Sequence, residues 1–231
     1  MNLFFQPDVK SGVLHLDAEE SHHAVRVLRL TEGSEIQLTD GKGFFYSAKI
    51  SKANPKKCEF EISKEQPVSK RNFSIHIAIA PTKNSDRTEW LVEKAVEIGV
   101  EKITFLLCQN SERKKINIER IQKIAIGAMK QSQQAWLPEV VDMTKPSEVI
   151  RENADQKFIA VVDSTNPVHL KQLATPNKNY LILIGPEGDF RPNEVEQALK
   201  NDLKKVSLGP NRLRTETAGL VSVDILNLIN H

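Results

Sequence analysis

The apolar run Tyr180-Leu181-Ile182-Leu183-Ile184 leads straight into Gly185-Pro186-Glu187-Gly188, and Lys205-Val206-Ser207 leads into Leu208-Gly209-Pro210. An apolar run of this length, halted by glycine and proline, reads as a buried strand that ends in a tight turn. The second turn continues through Asn211-Arg212-Leu213-Arg214-Thr215-Glu216-Thr217-Ala218 into a closing apolar helix. Two strand-to-helix turns about 25 residues apart fit one βα unit. In open α/β sheets ligands bind at the carboxyl ends of the strands, so the two turns point to one shared pocket.

Strands and helices alternate over residues 71–231. Strands are expected at 74–80, 103–108, 157–163, 180–184 and 206–208, and helices at 86–98, 118–133, from Pro192, and at the carboxyl end. Gly99 stands in the stop position of the first of these helices. This alternation predicts an α/β domain, a largely parallel sheet with helices on both faces. Residues 1–70 read differently. Ser34–Thr39 alternates apolar and polar residues, Asp40-Gly41-Lys42-Gly43 supplies hairpin chemistry, and Phe44–Ile50 and Cys58–Ile62 are further strands. One helix interrupts them, with Asp17 as N-cap, Glu20 at capping-box spacing, and Gly33 as its stop. A compact β-barrel suits so few strands. The boundary between the two domains falls in the polar, proline-bearing stretch Gln66–Asn72.

Several classes of protein are disfavoured. No apolar run approaches the ~20 residues of a membrane span, and the N-terminus lacks the marks of a signal peptide. Cys58 and Cys108 read as buried free thiols in a reducing compartment, so a cytoplasmic protein is expected. No metal is expected. His22 and His23 are adjacent, and on a helix their side chains diverge by about 100°. The Gly-rich dinucleotide fingerprint, the phosphate-binding P-loop and the serine nucleophile elbow are all missing from the sequence. A net charge of +2 neither requires nor excludes nucleic acid. Arg26 and Arg29 are three apart on the expected first helix, hence on one face. With Lys42 in the hairpin turn they form a candidate RNA-binding patch, read otherwise as a solvated surface.

The paired loops Ile184-Gly185-Pro186-Glu187-Gly188 and Leu208-Gly209-Pro210…Leu213-Arg214-Thr215-Glu216-Thr217-Ala218 resemble those of the RsmE family. Its members are 16S ribosomal RNA uracil-N3 methyltransferases of the SPOUT class. Phe4-Phe5, His22-His23 leading to Val27-Leu28-Arg29-Leu30, Lys94–Val100, and Gln131-Ser132 leading to Pro138 extend the likeness along nearly the whole chain. The resemblance implies a PUA-like RNA-binding barrel at 1–70 and a trefoil-knotted SPOUT domain at 71–231. It further implies S-adenosylmethionine held in the knot, a homodimer, and the small ribosomal subunit as partner. Carried over by residue, Leu183, Gly185, Pro186, Glu187, Gly188, Leu208, Gly209 and Leu213 would bind the cofactor. This sequence departs from the family at Asp189, where a second glycine is common, at Arg191, where a small residue is common, and at Gln134, where an arginine is common.

Uracil N3 carries a weakly acidic proton, so its methylation needs that proton removed or the imide anion stabilised. Arg214 is a candidate to stabilise the anion through a charge-assisted hydrogen bond. Glu216 is a candidate base, or the residue that orients Arg214. Three other readings stay open: methylation of a ribose 2′-hydroxyl or another base, a non-catalytic RNA-binding assembly factor, and a small-molecule α/β enzyme.

Overall fold

The computed structural model describes residues 2–162 and 168–231. The chain forms two compact units, one of residues 1–70 with 126–137 and one of 71–125 with 138–231.

In the first unit β1 (Leu3–Phe5) pairs in parallel with β2 (Glu35–Thr39), a short edge strand the sequence pattern did not signal. β2 then pairs antiparallel with β3 (Phe44–Lys52), and β3 with β4 (Glu59–Pro67), giving one four-stranded sheet. Two register shifts between β3 and β4 bend these long strands. The β2–β3 hairpin forms for the reason the sequence suggests. The Asp40 carboxylate accepts the N–H groups of Lys42 (2.8 Å) and Phe44 (3.1 Å), while Gly41 and Gly43 take φ of +68° and +98°. Gly43 has a second reason to be glycine: a Cβ there would stand 2.2 Å from the Trp136 ring. The indole of Trp136 donates to the Val68 carbonyl at 3.1 Å, and the Lys70 ammonium lies 4.6 Å from its ring centre. Phe4, Leu16, Ile36, Leu38, Tyr46, Ile50, Cys58 and Phe60 form the core of this unit.

The first helix starts as expected. Asp17 accepts the Glu20 N–H at 2.7 Å and caps α1 (Ala18–His22). The Glu20 carboxylate does not close a capping box; it is buried and paired with Lys130. Beyond α1 the chain continues as a π-helical turn, His23–Val27, and leaves it at Leu28, short of Gly33. Arg29 has φ +57° and lies outside the helix, so the helical spacing that placed Arg26 and Arg29 on one face does not apply.

The second unit is a six-stranded, wholly parallel sheet. Its strands are β5 (Ser74–Ile79), β6 (Lys102–Leu106), β7 (Glu139–Thr144), β8 (Gln156–Ala160), β9 (Asn179–Ile184) and β10 (Lys204–Val206). They lie in the order β10-β8-β9-β5-β6-β7. Its helices are α2 (Ser85–Ile98), α4 (Pro146–Val149), α5 (Leu170–Leu173), α6 (Pro192–Lys200) and α7 (Thr215–Leu228), and α3 (Ile118–Gln131) is divided, with 118–125 in this unit and 126–131 in the first. β7, α4 and α5 escaped the sequence reading because four- to six-residue elements carry too little periodicity. The strand expected over 157–163 ends at Ala160, and Asp163 lies outside the described residues.

Helices cover both faces. Ala78, Leu181, Leu183 and Ile159 pack with Val149, Ile150, Ala198 and Leu203 around α4 and α6. On the other face α7 rests on β5 and β9 and against α2. Gly219 permits that close approach, because a Cβ there would meet Ile79 at 2.6 Å and Leu91 at 3.0 Å. β9 sits between β5 and β8 although both precede it in the chain. The carboxyl ends of β8, β9 and β10 therefore lie side by side at one end of the sheet.

Candidate active site

Those three carboxyl ends enclose a cleft of about 670 Å³. Its walls come from the end of β8 (Ala160, Val161, Val162), the turn after β9 (Ile184–Glu187 and Asp189), and the run from Val206 through Glu216. Arg87 of α2 completes it. The two turns singled out in the sequence thus border one cavity. Gly185, Pro186, Glu187, Leu208, Gly209, Leu213, Arg214 and Glu216 all line it.

Two candidates stand apart from the wall. Leu183 is 1% exposed and belongs to the core beneath α4 and α6, so its side chain supports the floor. Gly188 lies just behind the wall, where Asn110 Nδ2 donates to the carbonyls of Gly188 and Asp189, both at 3.0 Å. Gly185 is glycine for space, since a Cβ would press on the Phe190 ring and backbone at 3.1–3.2 Å. Gly209 is glycine for conformation, with φ +138°. The Glu187 carboxylate accepts the Lys83 N–H at 2.9 Å, which braces the first turn against the segment entering α2.

The departures at Asp189 and Arg191 have structural answers. Asp189 has φ +58°, the left-handed region where glycine costs least and aspartate is among the better tolerated side chains. Arg191 is the N-cap residue of α6 and has no acceptor to offer. The cap runs in the reverse direction instead: Glu194 accepts the Arg191 N–H at 2.8 Å and, through its other oxygen, the Gln109 N–H at 3.0 Å. Gln134, in the first unit, donates to Ser132 Oγ at 2.9 Å.

At the start of α7 the sequence reading needs correction. The N-cap position of α7 belongs to Arg214, in extended backbone and exposed, with Thr215 the first helical residue. Glu216 follows, 7% exposed, with its carboxylate 3.6 Å from the guanidinium of Arg87. Among the described residues its charged partner is Arg87, not Arg214. A buried carboxylate needs such compensation, and the amino end of α7 adds to it. Sequence reasoning missed Arg87 because nothing in the first turn of α2 marks it; only the fold carries it to the cleft.

Other groups play no part in this cleft. Burial drives the Cys108 thiol up to about 12, leaving it inert, and Cys58 is likewise buried. Among the described residues no cluster of His, Cys, Asp or Glu could hold a metal, and no helix is long and apolar enough to cross a membrane. In the first unit Arg26, Arg29 and Lys42 are exposed, and the Lys42 ammonium donates to the Pro7 carbonyl at 2.8 Å.

Sheet order, cleft and sequence together define the class: residues 69–227 match the RNA methyltransferase domain family and residues 16–63 the RNA methyltransferase PUA domain family. A ribosomal RNA small subunit methyltransferase E of Buchnera aphidicola is 30% identical, over 91% of this chain and 86% of its own. The crystal structure of a probable rRNA-methyltransferase from Porphyromonas gingivalis is 41% identical, with a TM-score of 0.94 over 100% of this chain and 98% of that one. A methyltransferase from Legionella pneumophila, solved with bound S-adenosylmethionine, is 26% identical with a TM-score of 0.88, covering 99% and 97%. The chain belongs to the ribosomal RNA small subunit methyltransferase E family.

Proposed function

We propose that this protein transfers a methyl group from S-adenosylmethionine to N3 of a uridine in 16S ribosomal RNA. The observation that carries the reading is one cleft bordered by both glycine-proline turns, with Arg214 and the Arg87–Glu216 pair on its wall. The cleft suits the donor. Its size lies within the roughly 300–1,000 Å³ of small-molecule sites. Val161, Leu208 and Leu213 offer apolar faces for an adenine, and the turns offer backbone N–H and C=O groups for its edge.

S-adenosylmethionine supplies an electrophilic methyl on a positively charged sulfur. The chain itself needs to orient the acceptor, exclude water and manage one proton. Arg214, exposed at the head of α7, donates to a uracil oxygen and favours the N3 anion. Glu216, held beside Arg87, takes the N3 proton or fixes the base in line. The target base must leave its stack, at a cost of a few kcal/mol. Contacts to RNA phosphates through exposed groups of the first unit, Arg26 among them, offset that cost.

In the same reading 1–70 is the RNA-gripping domain and 71–231 the catalytic one. The insertion of β9 between β5 and β8 supports a trefoil knot. Trp90 of α2, 43% exposed, supports pairing with a second copy. The protein works in the cytoplasm, where its RNA is. The test is methylation of unmodified small subunits followed by digestion and nucleoside mass spectrometry. The reading expects 3-methyluridine; a 2′-O-methyl nucleoside or no product refutes it.

A further inference from the structure

The side chain of Asp189 makes two hydrogen bonds that a glycine at the same place could not. Its backbone sits at φ +58°, where a residue without Cβ is at ease and an aspartate is mildly strained. The carboxylate is engaged on both sides. Oδ1 accepts the Phe190 N–H at 2.8 Å, inside its own turn, and Oδ2 accepts the Val162 N–H at 3.1 Å, on the segment leaving β8. The turn that presents it is itself fixed. The Asp189 N–H donates to the Pro186 carbonyl at 2.9 Å, and Asn110 holds the carbonyls of Gly188 and Asp189. Val162 has no comparable anchor in apolar packing, for it is 67% exposed. Val161, Val162 and Asp189 all line the cleft.

We propose that Asp189 is a positioning residue for the methyl donor: its carboxylate latches the Val161–Val162 wall to the turn after β9 and so fixes the width of the cleft. The latch acts on binding, not on the transfer step, because the carboxylate bonds the N–H groups of Val162 and Phe190 and engages neither Arg214 nor Glu216 in these bonds. It rests on the reading that S-adenosylmethionine occupies this cleft.

The full-length protein is titrated with S-adenosylmethionine by calorimetry, beside Asp189→Gly, which relaxes the backbone and deletes the carboxylate, and Asp189→Asn, which keeps an acceptor. Asp189→Gly should weaken donor binding about ten-fold, the factor that one charge-assisted hydrogen bond is worth. The KM for the donor should rise in step, with kcat at saturating donor within about two-fold, because only binding is lost. Asp189→Asn should recover part of the affinity. Wild-type affinity in Asp189→Gly, or a fall in kcat with KM unchanged, overturns the latch while leaving the donor reading intact. Failure of the wild-type protein to bind S-adenosylmethionine overturns the donor reading and the latch with it.

Discussion

His76 makes the second unit sensitive to acid, and the size of the effect follows from its surroundings. The imidazole lies on β5 with its side chain 13% exposed, Nε2 2.8 Å from Thr104 Oγ1 and Nδ1 3.5 Å from the Glu152 carboxylate. Burial lowers its pKa from 6.5 to about 4; Glu152 opposes this and Lys102 adds to it. The unfolded chain therefore takes up a proton that the folded one refuses. Stability is full above about pH 6.5 and is lost as pH falls towards 4. At about 1.4 kcal/mol per pKa unit the whole loss is about 3 kcal/mol, of which about 2 kcal/mol falls between pH 7 and pH 5. His76→Gln keeps a polar group near Thr104 but does not titrate. Urea unfolding followed by circular dichroism at pH 7 and pH 5 should show the wild type losing about 2 kcal/mol more than this variant. Equal losses in the two proteins would refute the assignment.

The active-site account predicts that Glu216→Gln lowers methyl transfer about 100-fold. Arg87→Ala lowers it about ten-fold by removing the charge that compensates the buried carboxylate. Both should bind S-adenosylmethionine normally, measured by calorimetry beside single-turnover rates. In the first unit Gly43→Ala forces a Cβ into Trp136 at positive φ and should cost about 3 kcal/mol, visible as a lowered unfolding midpoint. If Arg26 contacts phosphate, Arg26→Ala should make the fall of RNA affinity with salt shallower by about one in log–log slope. An unchanged slope assigns Arg26 to solvent.

Much of the fold was legible because its parts announce themselves locally. Asp17 caps α1, Gly99 stops α2, and Asp40 with two glycines turns the β2–β3 hairpin, each by chemistry confined to a few neighbours. The cleft was legible for a similar reason, since glycine and proline after apolar runs mark the ends of strands. What escaped depends on distance along the chain. The Arg87–Glu216 pair spans a little over half the sequence, and no local pattern joins its members. The exit of Arg29 from its helix is set by a π-turn that has no helical-period signature. The tolerance of Asp189 and Arg191 became intelligible only with a φ angle and with Glu194 reaching back to the turn.

The claim on which the account depends is that the turns after β9 and β10 jointly hold the methyl donor, and a crystal structure with S-adenosylmethionine bound tests it most directly. The account predicts the ligand between Gly185–Glu187 and Leu208–Leu213, with its methyl group directed towards Arg214 and Glu216. A ligand bound elsewhere, or touching one turn alone, contradicts it.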